Sequence, residues 1–85
     1  MKYNIEFTSK ARKAFIKLPE KEKLRIQVTL EILSENPRPP AARRLQGREG
    51  YRVRVGDYRI IYSIEDGVLV VWILGVAHRR EVYRR

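Results

Sequence analysis

The sequence predicts a small α+β domain: an N-terminal strand, an αα-hairpin, then a three-stranded antiparallel meander that completes a sheet with the helices on one face. Three observations predict it. Before Pro37 the apolar spacing shifts from a period of two to a helical period. Pro37, Pro39 and Pro40 then close the helical region, because proline cannot continue a helix. Beyond them, Gly56-Asp57 and Asp66-Gly67 punctuate apolar, β-prone segments as hairpin turns do.

Each element follows in order. Tyr3, Ile5 and Phe7 alternate with Asn4 and Glu6, which predicts a strand over 3–7. Thr8 or Ser9 can cap a helix whose apolar stripe is Ala11, Ala14, Phe15 and Leu18. Pro19 suits the first turn of a second helix, with Glu20 and Glu22 complementing the positive end of its dipole. There Leu24, Val28 and Ile32, joined by Ile26, Leu30 and Leu33, make a broad apolar face. Residues 36–50 read as a loop, long for a compact domain, and its Arg38, Arg43, Arg44 and Arg48 make it either a binding element or a connector. Strands over 51–55 and 58–64 follow, and residues 68–74 form an apolar run suited to a central strand.

With 85 residues, 44% of them hydrophobic, the chain is expected to fold as one domain, 1–85, without staples. The absence of cysteine rules out disulfides and cysteine-based metal sites, and fits a reducing compartment. There is no apolar run of membrane-spanning length and no signal-peptide core, so the expectation is a cytoplasmic protein with no membrane partner. No metal or other cofactor is implied.

The formal net charge is +9, and eleven of the thirteen arginines follow Pro37, whereas all six lysines lie at or before Lys23. Arginine offers a planar fork for phosphate and a flat face for stacking. Nucleic acid and an acidic protein are both partners that this charge would suit. Closing a two-residue turn at Gly56-Asp57 pairs Val55 with Tyr58 and sets Arg54 opposite Arg59, with Arg52 on the same face. Like charges directly opposed across strands are destabilising, so that face is expected to meet something anionic. If Asp66-Gly67 is also a two-residue turn, Glu65 faces Val68, Ile61 faces Trp72 and Arg59 faces Leu74. The arginine face then gains Trp72, Leu74, Val76 and His78. The opposite face, with Tyr58, Ile60, Tyr62, Ile64, Leu69, Val71 and Ile73, is the layer for the helices.

The element order, together with Leu45-Gln46-Gly47, Tyr51-Arg52-Val53-Arg54, Gly56-Asp57-Tyr58-Arg59-Ile60-Ile61-Tyr62 and His78-Arg79-Arg80-Glu81-Val82-Tyr83, resembles the RelE/ParE superfamily of type II toxins across essentially the whole chain. The resemblance implies a toxin held inactive by a cognate antitoxin, an acidic or amphipathic segment that wraps around it. RelE-like members cut mRNA in the ribosomal A site without a metal. ParE-like members poison DNA gyrase and lack the RNase residues, so both activities stay open here.

Carried over from the RelE-type site, the catalytic candidates are Arg52, Arg54, Arg59 and Tyr83. Two departures stand out. The strand pair Arg52 and Arg54 is often lysine in the RNases, and arginine, always protonated, is a poor base. A further family arginine falls on Ala77, with Arg79 as the nearest replacement. His78 is the one side chain whose unperturbed pKa lies near neutrality, which makes it the candidate acid or base. Glu49 or Glu81 could substitute. Arg43, Arg44, Arg48 and Arg80 are candidate RNA contacts, although Arg52, Arg54, Arg79 and Arg80 could equally hold an acidic antitoxin segment. Trp72 is either core or a stacking platform. Lys10 to Lys23 reads as the solvated side of the helices, or as a contact to ribosomal RNA.

Overall fold

The computed structural model describes residues 2–78, and these form two helices against one five-stranded mixed sheet of order β1-β5-β4-β3-β2. Strand β1 (Asn4–Phe7) runs parallel to β5 (Val70–His78) and forms one edge of the sheet. Helix α1 (Ser9–Ile16) starts where the Thr8 hydroxyl accepts a hydrogen bond from the Ala11 amide at 3.2 Å. Its Ala11 is fully buried, and Ala14, Phe15 and Leu18 pack on the core, so the expected stripe is the buried one. Pro19 then occupies the N-cap of α2 (Glu20–Glu35), one position ahead of its expected place in the first turn.

The broad apolar face expected for α2 is split. Ile26, Leu30 and Leu33 are buried, whereas Leu24, Val28 and Ile32 remain 61%, 63% and 51% exposed. One flat sheet cannot cover an apolar arc that wide, and the row at 24, 28 and 32 faces outward. The core lies between α1, α2 and the sheet, around Tyr62, Ile60, Val71 and Ile73. Each such side chain contributes roughly 1.5–3 kcal/mol by leaving water.

Strands β3 (Tyr51–Val55) and β4 (Tyr58–Glu65) pair in the expected register, Val55 with Tyr58 and Arg54 with Arg59. Gly56 has φ +60° while Asp57 does not turn positive, which is the type II′ form of this turn. A side chain at that φ would be strained, so the hairpin depends on glycine there.

The structure departs from the expected pairing at three points. Residues 36–50 are not all loop, because Arg43–Arg44 form β2 and pair with β3, Arg43 opposite Arg52 and Arg44 opposite Tyr51. Asp66-Gly67 is not a two-residue turn. Asp66–Val68 form a 3-10 turn that ends in Leu69 at φ +56°, so Glu65 faces Val70 rather than Val68. A β-bulge follows: Tyr62 pairs with Ile73, but Ile61 pairs with Gly75, leaving Leu74 as the extra residue.

The bulge has a large consequence. A one-residue slip exchanges the faces of every later side chain. Val76, opposite Ile60, and His78, opposite Tyr58, therefore leave the arginine face for the helix side. Ala77 stands opposite Arg59 instead.

A polar latch ties down the long connection. The Arg38 guanidinium donates to Asp66 Oδ2 at 2.9 Å, to Oδ1 at 3.3 Å and to the Tyr51 hydroxyl at 3.1 Å. Tyr3 donates to the same Asp66 at 2.7 Å, and the buried Tyr62 hydroxyl donates to the Pro37 carbonyl at 2.7 Å. These bonds, all aimed at residues 37–66, hold the chain that delivers β2 to the sheet edge.

Candidate functional site

Arg43 from β2, Arg52 and Arg54 from β3, and Arg59 from β4 line one open basin of about 370 Å³ together with Ala41. The strand period puts them there: Arg52 and Arg54 are two apart, and Arg43 and Arg59 stand directly opposite them on the flanking strands. The basin lies on the face away from the helices. Arg59 is its innermost member, only 8% exposed, while Arg43 and Arg54 are exposed and Arg52 is half-buried. Arg43 is oriented by its donation to the Pro40 and Ala42 carbonyls at 2.8 and 3.0 Å.

Four guanidiniums present up to twenty N–H donors and no acceptor. Such a set binds an anion, and its planar forks suit phosphate oxygens in particular. It can stabilise charge that builds on a phosphorus centre. It cannot take a proton from a nucleophile.

The expected site residues fare differently. Arg52, Arg54 and Arg59 come together, and Arg43 joins them through a strand that the sequence did not announce. Arg44 points the other way along β2, opposite Tyr51, and Arg48 sits in the 45–50 turn that Leu45 closes by donating its amide to the Gly50 carbonyl at 3.0 Å. Neither lines the basin. Glu49 is exposed in the same turn. His78 is on the far side of the sheet, its ring edge-on to Tyr58 with centroids 5.2 Å apart. The expected face is thus corrected by the bulge, and His78 is not positioned to exchange a proton with a phosphate held in the basin. Trp72 remains on the arginine side, opposite Ser63, and its indole donates to Glu65 Oε1 at 2.7 Å. Ala77, where the family pattern has arginine, presents only a methyl group beside Arg59. Arg79, Arg80, Glu81 and Tyr83 lie outside the described residues.

From the lysines expected on the solvated side of the helices or against ribosomal RNA, Lys10, Lys13 and Lys17 line one pocket with Tyr58 and His78 on the helix side. Their i, i+3, i+7 spacing was legible, but not the bulge that brings His78 to them. Among the described residues, no helix is long and apolar enough to cross a membrane.

Comparison with known proteins agrees with this architecture. The family model described as ParE toxin of type II toxin-antitoxin system, parDE, matches residues 5–83. Toxin RelG of Mycobacterium tuberculosis is 36% identical over 89 aligned positions, covering 100% of both chains. The archaeal RelE-RelB complex from Pyrococcus horikoshii contains a chain with TM-score 0.79 and 30% identity, again with full coverage of both. The isolated Escherichia coli RelE toxin superposes with TM-score 0.80 at 26% identity, covering 89% of this chain and 83% of that one. With a family match over nearly the whole sequence and a full-length relative above 30% identity, this chain belongs to the RelE/ParE family of type II toxin–antitoxin toxins.

Proposed function

We propose that this toxin is a ribosome-dependent mRNA endoribonuclease that acts in the cytoplasm and needs no metal. The observation that carries the reading is the basin itself: four arginines from three strands, opposite the helical layer, with Arg59 sunk at its base. In such cleavage a 2′-hydroxyl attacks the adjacent phosphorus, the P–O5′ bond breaks, and a 2′,3′-cyclic phosphate and a 5′-hydroxyl result. Arg52, Arg54 and Arg59 stabilise the extra negative charge on the phosphorane, the contribution that electrostatic preorganisation makes largest. Arg43 holds a neighbouring phosphate. Proton transfer needs groups other than these arginines, and Glu49 or Glu81 are the candidates that remain, while Tyr83 stacks on a base or orients the nucleotide. A basin that binds well but carries no base of its own explains why the ribosome would be needed, since ordered RNA supplies the orientation.

The exposed row Leu24, Val28 and Ile32, with the edge of β1 that pairs with no other strand among the described residues beside it, is the surface we assign to the cognate antitoxin. Ile5, Phe7, Leu24 and Val28 line an open groove there of about 580 Å³. An apolar groove next to a free strand edge fits an amphipathic segment, and two of the similar toxins were solved bound to RelB.

Primer extension on a translated message tests the enzymatic reading. The expected result is cuts within ribosome-occupied codons that vanish with Arg59→Ala. Intact message together with inhibited DNA supercoiling would instead establish gyrase as the target.

A further inference from the structure

The short strand β2 is poorly equipped to hold itself in place. It has two residues, both exposed, and its ladder sets Arg43 opposite Arg52, a like-charge pair that disfavours the pairing. Yet Arg43 is one of the four guanidiniums that line the basin. Its anchor lies upstream. Arg38 donates from Nε to the Tyr51 hydroxyl and from Nη1 and Nη2 to the Asp66 carboxylate, and its amide donates to Asn36 Oδ1 at 3.1 Å. The same guanidinium lies over the Tyr51 ring, 5.7 Å from its centroid, and that ring stacks on Tyr62. Tyr51 is also the residue that pairs with Arg44, so one guanidinium grips both the connection and the strand on which β2 docks. From Arg38 the chain passes through a turn, closed by the Ala42 amide on the Pro39 carbonyl at 2.9 Å, straight into β2. Neither Arg38 nor Asp66 lines the basin. A guanidinium forked onto a carboxylate is already neutralised, so Arg38 does not serve as a phosphate ligand itself.

We infer that Arg38 and Asp66 are positioning residues for the substrate: their latch, outside the basin, holds residues 39–45 on β3 and thereby keeps Arg43 in the basin beside Arg52. The inference rests on the phosphate-binding role given to the basin above and deepens it. The coupling runs both ways. A phosphate between Arg43 and Arg52 replaces their repulsion with two attractions, so it strengthens the docking of β2. By linkage, whatever strengthens that docking raises the affinity for phosphate by the same factor. Affinity for RNA is thus set in part at Asp66, in the turn between β4 and β5, by a carboxylate that touches no RNA.

The test is a double-mutant cycle of Arg38→Met, Arg43→Ala and the two together, each shown to be folded by a thermal melt; methionine keeps an unbranched apolar stem. Affinity is measured at low salt for a 2′-O-methyl RNA oligonucleotide, which retains the phosphates and lacks the attacking hydroxyl. Arg43→Ala is expected to weaken binding about tenfold, as loss of one charge-assisted contact requires. Arg38→Met should weaken it at least about threefold by itself, and by no more than about twofold once Arg43 is gone. Additive losses overturn the inference, because Arg38 would then act on the RNA directly, and so does full affinity in Arg38→Met. Amide hydrogen exchange over 39–45 gives a second readout. It should be faster in Arg38→Met, and slower in the wild type when the oligonucleotide is bound. Exchange that ignores either change, or a wild type that does not bind the oligonucleotide, also overturns the inference. Wild-type message cleavage is scored in the same preparations. Non-additive binding without cleavage would sink the nuclease reading alone, whereas cleavage with additive binding would sink this inference alone.

Discussion

Arg54 stands directly opposite Arg59 across the β3–β4 ladder. The relationship repeats one strand over, where Arg43 faces Arg52. Two opposed like-charged pairs side by side are unfavourable for folding, and the sheet accepts them on the face where the anion is expected to bind. Arg54→Thr should therefore raise stability by about 0.2–1 kcal/mol, since it removes one repulsion and adds a good strand former. In a domain of this size that is a rise of a few degrees in Tm. The same variant should lose message cleavage. A variant that melts lower, or that cleaves normally, contradicts the assignment.

Tyr62 ties the core to the long connection. Its hydroxyl donates to the Pro37 carbonyl at 2.7 Å, and burial pushes its phenol pKa up to about 12. Tyr62→Phe should leave that carbonyl unsatisfied and cost about 1–3 kcal/mol in urea denaturation. Ultraviolet titration should show the tyrosine that ionises at about 12 disappearing from the profile.

Asp66 makes stability fall in acid. Hydrogen bonds from Arg38, and then from Tyr3, hold its carboxyl below the usual range. A lowered folded pKa contributes stability that is present above the unfolded value, about 3.9, and is lost as pH falls through the folded value. Thermal melts of the wild type and Asp66→Asn should differ at pH 7 and converge as pH falls through the lowered folded value. The difference should be small, because the pair is exposed. A gap that persists undiminished in strong acid would point away from the carboxylate.

Val28 is 63% exposed at the middle of the outward row on α2. Val28→Glu should leave the melt of the isolated toxin nearly unchanged and weaken antitoxin binding by tenfold or more in calorimetric titration. Full affinity in the variant would move the antitoxin interface elsewhere.

Much of this fold is readable in the sequence, for identifiable reasons. Gly56-Asp57 sets a two-residue hairpin, and the strand period then places Arg52, Arg54 and Arg59 on one face without further information. Thr8 and the Ala11 stripe likewise define α1. What escapes is decided by tertiary pairing. Arg43–Arg44 is too short to show a period, and becomes a strand only because the Arg38 and Tyr62 bonds bring it to β3. The Asp66 connection takes a 3-10 turn, with Asp66 also engaged by Tyr3 and Arg38. The bulge at Leu74 did carry a signal, since an isolated glycine such as Gly75 within an apolar strand marks such irregularities. Without it the alternation runs straight through, and His78 lands on the wrong face.

The measurement that tests the central claim most directly is primer extension on a translated message with wild-type, Arg59→Ala and His78→Ala toxins, each shown to be folded. The account predicts that Arg59→Ala lowers cleavage by at least a hundredfold, a loss expected for removing one preorganised charge contact. It predicts that His78→Ala, on the far face, still cuts at the same codons and reaches near wild-type extent when ribosomes saturate it. Full cleavage by Arg59→Ala, or its abolition by His78→Ala at saturating ribosomes, would contradict the arginine basin as the site of the reaction.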